Sequence, residues 1–169
     1  MNAKGQTPEQ RVAAMGFTIP DYSEPPYGGR YGSLKAFHRT GNLLMLSGMT
    51  PEDREGNRVH PGRLGDDLTV EEGYEAARAT AINSLGMIRL ALGSLDEVAS
   101  LARVLSFIVA APDFEDLHLV SAGASDVYIE TFGREMGLGG SAAIGVSCLS
   151  RRNCFEAWIT IEAKGASGP

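Results

Sequence analysis

The stretch Gly41-Asn42-Leu43-Leu44-Met45-Leu46-Ser47-Gly48-Met49-Thr50-Pro51 decides how this chain is read. Four bulky apolar residues stand between Gly-Asn and Ser-Gly-x-x-Pro. A short apolar run closed by turn residues at both ends reads as a buried strand. Working backward, Lys35–Thr40 reads as a partner strand joined through the tight turn Gly41-Asn42. Working forward, Pro51 to Asp67 is polar and Gly-rich and reads as a loop. Thr69-x-x-Glu72 then forms a capping box. Behind it, Tyr74, Ala77, Ala81, Leu85, Ile88 and Leu92 fall on one helical stripe, and Gly93 supplies a C-terminal stop.

The remaining elements follow by the same rules. Both alternating sets are largely apolar from Val98 to Ala111, which predicts a central strand. Pro112-Asp113 is expected to open a second helix carrying Phe114, Leu117, Ala124, Val127 and Thr131 on one side. Ala142–Leu149 and Asn153–Ala163 are expected to close the domain as a hairpin. Near the start, Thr7, Pro8 and Gln10 cap a short helix that Gly16 ends. Residues 1–33 therefore read as a helix plus a Pro/Gly-rich arm, 34–163 as one domain and 164–169 as a tail. Strands paired with helices on one face make an α+β layer: a mixed sheet with two main helices packed on it.

Composition excludes several function classes. A chain of 169 residues, 43% hydrophobic, is long enough for a substantial core. No run reaches the roughly 18 apolar residues of a membrane span, and no apolar leader opens the chain, so a cytoplasmic protein is expected. A net charge of -6 opposes general nucleic-acid binding. His38, His60 and His118 lack metal-ligand spacing, so neither a metal nor a cofactor is expected. Cys148 and Cys154 are expected as thiols in a reducing compartment.

The order of these motifs resembles the Rid superfamily (YjgF-like, or L-PSP endoribonuclease-like) over roughly Leu34 to Glu162, in a longer subgroup without the deaminase arginine. The resemblance implies a YjgF-like, chorismate-mutase-like fold and a homotrimer with small-molecule clefts between subunits. In deaminase members an arginine before the penultimate strand grips the substrate carboxylate, a last-strand glutamate places water, and a tyrosine lines the pocket. Those positions fall here on Ser141 or Gly140, on Trp158, and on Leu34 with Tyr31 close by. The standard imine-deaminase residues are therefore replaced.

The last strand offers substitutes. Phe155, Ala157, Ile159 and Ile161 alternate with Glu156, Trp158, Thr160 and Glu162, so two carboxylates flank the sole tryptophan on the face turned from the helices. Glu156 and Glu162 are the candidate general bases. Gly139-Gly140 amides and the Ser141 hydroxyl could hold an anion as a backbone nest. Arg39 could restore the lost positive charge. Cys148 has no neighbouring His in the sequence to activate it. Gly137-Leu138-Gly139-Gly140-Ser141-Ala142 formally fits a dinucleotide fingerprint, but it leads into a strand rather than a helix. The expected function is imine, enamine or related C–N bond hydrolysis in an intersubunit cleft. The alternative is a non-catalytic trimeric metabolite-binding protein, and RNA cleavage is a third reading that the acidic balance opposes.

Overall fold

The computed structural model describes residues 5–23 and 34–165. Helix α1 (Pro8–Met15) starts on the Thr7–Gln10 capping box and ends at Gly16. Strands β1 (Phe37–Thr40) and β2 (Leu43–Leu46) form the expected antiparallel pair. Helix α2 (Val70–Leu92) is capped by Thr69 and Glu72, and Gly93 closes it with a left-handed φ of 84°. Strand β3 (Val98–Val109), helices α3 (Leu117–Phe132) and α4 (Arg134–Gly137), then β4 (Gly140–Val146) and β5 (Phe155–Ala163) complete the chain.

The five strands form one mixed sheet in the order β1-β2-β5-β3-β4. The long helices α2 and α3 pack against each other and cover one face. Leu44, Leu46, Val104, Ile108 and the buried set Phe155, Ala157, Ile159 and Ile161 point into this core. The α+β layer read from the sequence is the fold observed.

Two local expectations fail. β4 and β5 are not a hairpin: β4 pairs in parallel with β3, and β5 is inserted between β2 and β3, antiparallel to both. The sequence Gly-Ser-Ala-Ala-Ile-Gly-Val carries too little apolar bulk for a central strand and lies at the sheet edge. β5, with every second side chain buried, takes the centre. A parallel β3–β4 pair needs a crossover of a dozen or more residues, which α3 supplies. Residues 147–154 then cross the end of β3, where Arg63 Nη2 donates to the Ser147 carbonyl at 2.8 Å. Helix α3 also begins at Leu117, not at Pro112-Asp113, and its N-cap Asp116 makes no side-chain capping bond.

Candidate functional site

Beyond β2 the chain keeps following β5. Met49 and Ala157 exchange N–H···O bonds of 2.9 and 2.8 Å, one register later than the β2–β5 pairing of Met45 with Thr160. One extra residue therefore sits in Ser47-Gly48, which is a β-bulge at the end of the strand. Its consequence is local: a Cβ on Gly48 would overlap the Glu156 carboxylate and come within 3.2 Å of the Trp158 Nε1. The missing side chain lets Glu156 lie flat over the bulge. Trp158 Nε1–H donates to Glu156 Oε1 at 2.8 Å, and Phe107 meets the indole edge-to-face at 5.2 Å.

This pair forms part of the wall of a cavity of ≈ 540 Å³ at the end of the sheet. Tyr22, Leu34, Leu46, Met49 and Trp158 give it an apolar side. Glu52, Asp53, Arg54, Arg151 and Glu156 bring charge, and Asn83 and Asn153 bring amides. Elements distant in sequence hold this polar side together. Asn83 of α2 donates to the carbonyls of Thr50 and Glu52 at 2.9 and 2.8 Å. Asn153 Nδ2 donates to Glu52 Oε1 at 2.6 Å and to the Ser150 carbonyl at 3.0 Å. Arg151 Nη1 stands 3.2 Å from Glu52 Oε2, an ion pair too poorly aligned to give that buried oxygen a hydrogen bond. Arg151 and Arg152 both have left-handed φ, 59° and 61°, a costly conformation for residues with a Cβ.

The three carboxylates of the pocket have different tasks. Asp53 closes its own turn: the Asn57 side chain and backbone N–H both donate to it at 2.8 Å. That side-chain bond, with amides of the same turn, keeps the Asp53 carboxyl below its ordinary range. Glu52 is bound into the Asn153 and Arg151 network. Glu156 has one hydrogen-bond partner among the described residues, the Trp158 indole, and is left able to meet a ligand.

The residues singled out by sequence separate into two groups. Glu156, Trp158 and the 62%-exposed Leu34 come together at the cavity. Glu162 does not: it lies six residues along β5 from Glu156, about 20 Å at the ~3.3 Å rise of a strand, and accepts from Ser100 Oγ at 3.0 Å. Ser141 pairs in register with Val104, so its side chain points to the helix face, opposite to Trp158. Gly140 pairs with Arg103 at the far end of β4. Arg39 shares the face of its partner Leu44, again the helix side, and its Nε donates to the Gly41 carbonyl. Neither the Ser141 nest nor Arg39 reaches the cavity within one chain. Tyr31 lies outside the described residues. Cys148 is exposed, whereas burial pushes the Cys154 thiol up to about 12. Among the described residues no cluster of three His, Cys, Asp or Glu could hold a metal, and no helix is long and apolar enough to cross a membrane.

Glu52, Asn83, Asn153, Arg151 and Tyr22 line the cavity without being singled out by the sequence. One signal was present: an acidic residue directly after the Ser-Gly-x-x-Pro stop. The other four carry no local mark, because distant segments bring them to the cavity.

A mixed sheet with two helices on one face and a charged pocket beside a bulged strand end defines an α+β ligand-cleft protein. The chain belongs to the Rid, or YjgF/chorismate-mutase-like, family: the model described as "YjgF/chorismate_mutase-like, putative endoribonuclease" matches residues 9–144. The Trypanosoma cruzi "Protein TCP17" is 37% identical over 124 residues, 73% of this chain and 74% of its own. The crystal structure of Atu1372 from Agrobacterium tumefaciens, a protein of unknown function, superposes with a TM-score of 0.81 at 29% identity, covering 94% of each chain. A "putative endoribonuclease" from Shewanella oneidensis gives 0.83 at 26% identity, over 93% of this chain and 99% of its own. Residues 147–154 and β5, which supply Arg151, Asn153, Glu156 and Trp158, lie beyond the family-model match.

Proposed function

We propose that this protein is a Rid-like small-molecule enzyme that hydrolyses a C–N double bond, with Glu156 as its general base. The observation that carries the reading is the Glu156 carboxylate, seated on Gly48 and held by the Trp158 indole in the cavity wall. An imine in this cleft would present its carbon to a water hydrogen-bonded to Glu156. As the water oxygen attacks the protonated imine, Glu156 takes the water's proton and then delivers it to the nitrogen of the carbinolamine. Collapse breaks the C–N bond as Glu156 takes the hydroxyl proton, which passes to the departing ammonia, and leaves a carbonyl compound and ammonium. Arg54 and Arg151 are the cations of the cleft and would face an anionic group on the substrate.

The outer sheet face supports assembly into the homotrimer expected of the family. Leu43, Ile144 and Trp158 leave 42%, 37% and 53% of their surface exposed on it, an apolar display that a partner surface would cover. β4 is a sheet edge, and a neighbouring subunit is the route by which Gly140 and Ser141 could meet a cleft.

Ammonia release from freshly generated 2-imino acids tests the reading. Glu156→Gln should lose about 10²–10⁴-fold in rate, the usual contribution of a general base, while Glu162→Gln stays near wild type. Full activity in Glu156→Gln rejects the assignment. The replacement of the family's arginine and glutamate positions favours one competing reading, a metabolite-binding protein without turnover. Saturable binding seen by Trp158 fluorescence, with no ammonia above background, would establish it.

A further inference from the structure

The N-terminal segment lies along α2 at three successive points. At the first, the Glu9 carboxylate takes both the Arg89 guanidinium and the Leu95 backbone N–H. At the second, Arg78 stacks over the Phe17 ring at 5.6 Å. At the third, Pro20–Tyr22 crosses the helix at Gly86. A Cβ there would overlap the Pro20 carbonyl and stand 3.0 Å from the Tyr22 ring. Glycine inside a helix is destabilising, and α2 runs unbroken through this position. The close approach of the segment is what the glycine permits. Tyr22 then lines the cavity together with Leu34, Glu156 and Trp158. The adjacent Asp21 caps the turn that follows, accepting from the Ser23 backbone N–H at 2.8 Å.

We propose that Pro20–Tyr22, seated on Gly86, is a built wall of the cleft, and that Tyr22 limits the size of the apolar group a ligand can carry. The proposal rests on the reading that this cleft binds a small molecule and adds to it a specificity-determining residue. A rigid aromatic wall discriminates by size because an apolar group too large for its pocket must displace packed atoms.

Two measurements keep the wall and the function separable. Trp158 is the sole tryptophan and is 53% exposed, so the change in its acrylamide quenching between variants, at one fixed protein concentration, reads access to the cleft side of the ring without any ligand. Tyr22→Ala and Gly86→Ala should both raise the quenching constant, and Tyr22→Phe should leave it unchanged. Titration with pyruvate and with 4-methyl-2-oxopentanoate, the 2-oxo acids matching small and bulky imine substrates, reads size selection. Tyr22→Ala should shift the ratio of their dissociation constants toward the bulky acid by about 10-fold or more. Wild-type quenching in both alanine variants overturns the proposal, as does an unchanged ratio where the acids bind. If neither acid binds the wild type, the small-molecule reading for this substrate class fails, and the quenching result alone decides the wall.

Discussion

Replacing Asn153 by alanine should destabilise this protein far more than its small side chain suggests. Asn153 is 1% exposed, and its amide makes two bonds: one to Glu52 Oε1, one to the Ser150 carbonyl. A hydrogen bond to a charged acceptor contributes about 1.5–3 kcal/mol and a neutral one about 1. Glu52 itself is 7% exposed, and its other oxygen has only the misaligned Arg151 contact. Without Asn153 a buried carboxylate is left with one imperfect partner, so a loss of about 3 kcal/mol is expected. For a domain of this length that is a fall in Tm of roughly 6–12 °C. Urea unfolding followed by Trp158 fluorescence and far-UV circular dichroism gives the number. Protein concentration must be fixed, because any self-association would make the midpoint concentration-dependent. Glu52→Gln removes the charge that needs the amide. In the double variant the two losses should therefore fall short of their sum, by about 1–2 kcal/mol. A cost below about 1 kcal/mol for Asn153→Ala, or strict additivity, would refute the view that this amide holds the pocket's buried carboxylate.

Two further outcomes test the scaffold. Gly123→Ala improves intrinsic helix propensity by about 1 kcal/mol, yet its Cβ would overlap the Tyr74 carbonyl and come within 3.2 Å of Ala77. Chemical unfolding should show a net loss of about 1–3 kcal/mol as α2 and α3 are forced apart, and a stabilised variant would contradict the packing. Burial works to raise the Glu9 carboxyl, but the Arg89 bonds and the Leu95 N–H together bring it below its ordinary 4.5. A carboxyl lowered on folding stabilises fully above 4.5 and loses that contribution as pH falls through its lowered value. The Tm advantage of wild type over Arg89→Ala should therefore be constant above pH 5 and shrink below 4.5; an advantage that does not shrink on acidification would remove this ion pair from the account.

What the sequence made legible was local, and what it hid was long-range. The Thr69–Glu72 capping box and its stripe mark both ends of α2, since propensity, capping and periodicity act within a few residues. Alternation in β5 gives its two faces correctly for the same reason. Pairing is a different matter. Adjacency in sequence suggested that β4 and β5 form a hairpin, but the apolar content of each strand decided which could occupy the centre. The β3–β4 register put Ser141 on the helix face. The register of β1 did the same to Arg39. The Glu52–Asn153 bond spans 101 residues, and no spacing rule reaches that far.

The pocket departs from the deaminase pattern in both its acid and its cation. Where the deaminase pattern calls for a last-strand glutamate, Trp158 stands, while Glu156 falls on the acidic position two residues earlier that the pattern already contains. Two residues along a strand keep a side chain on the same face, so Glu156 stands about 7 Å from the Trp158 position, toward the end where β5 begins. Cations stand at the same end. The start of β4 has none in Gly140 and Ser141, while Arg151 comes from the connection just before β5 and Arg54 from the loop beyond the Gly48 bulge. Here acid, cations, bulge and aromatic wall gather at one end of the sheet, around one cavity. That gathering makes Glu156 the residue whose removal is most informative.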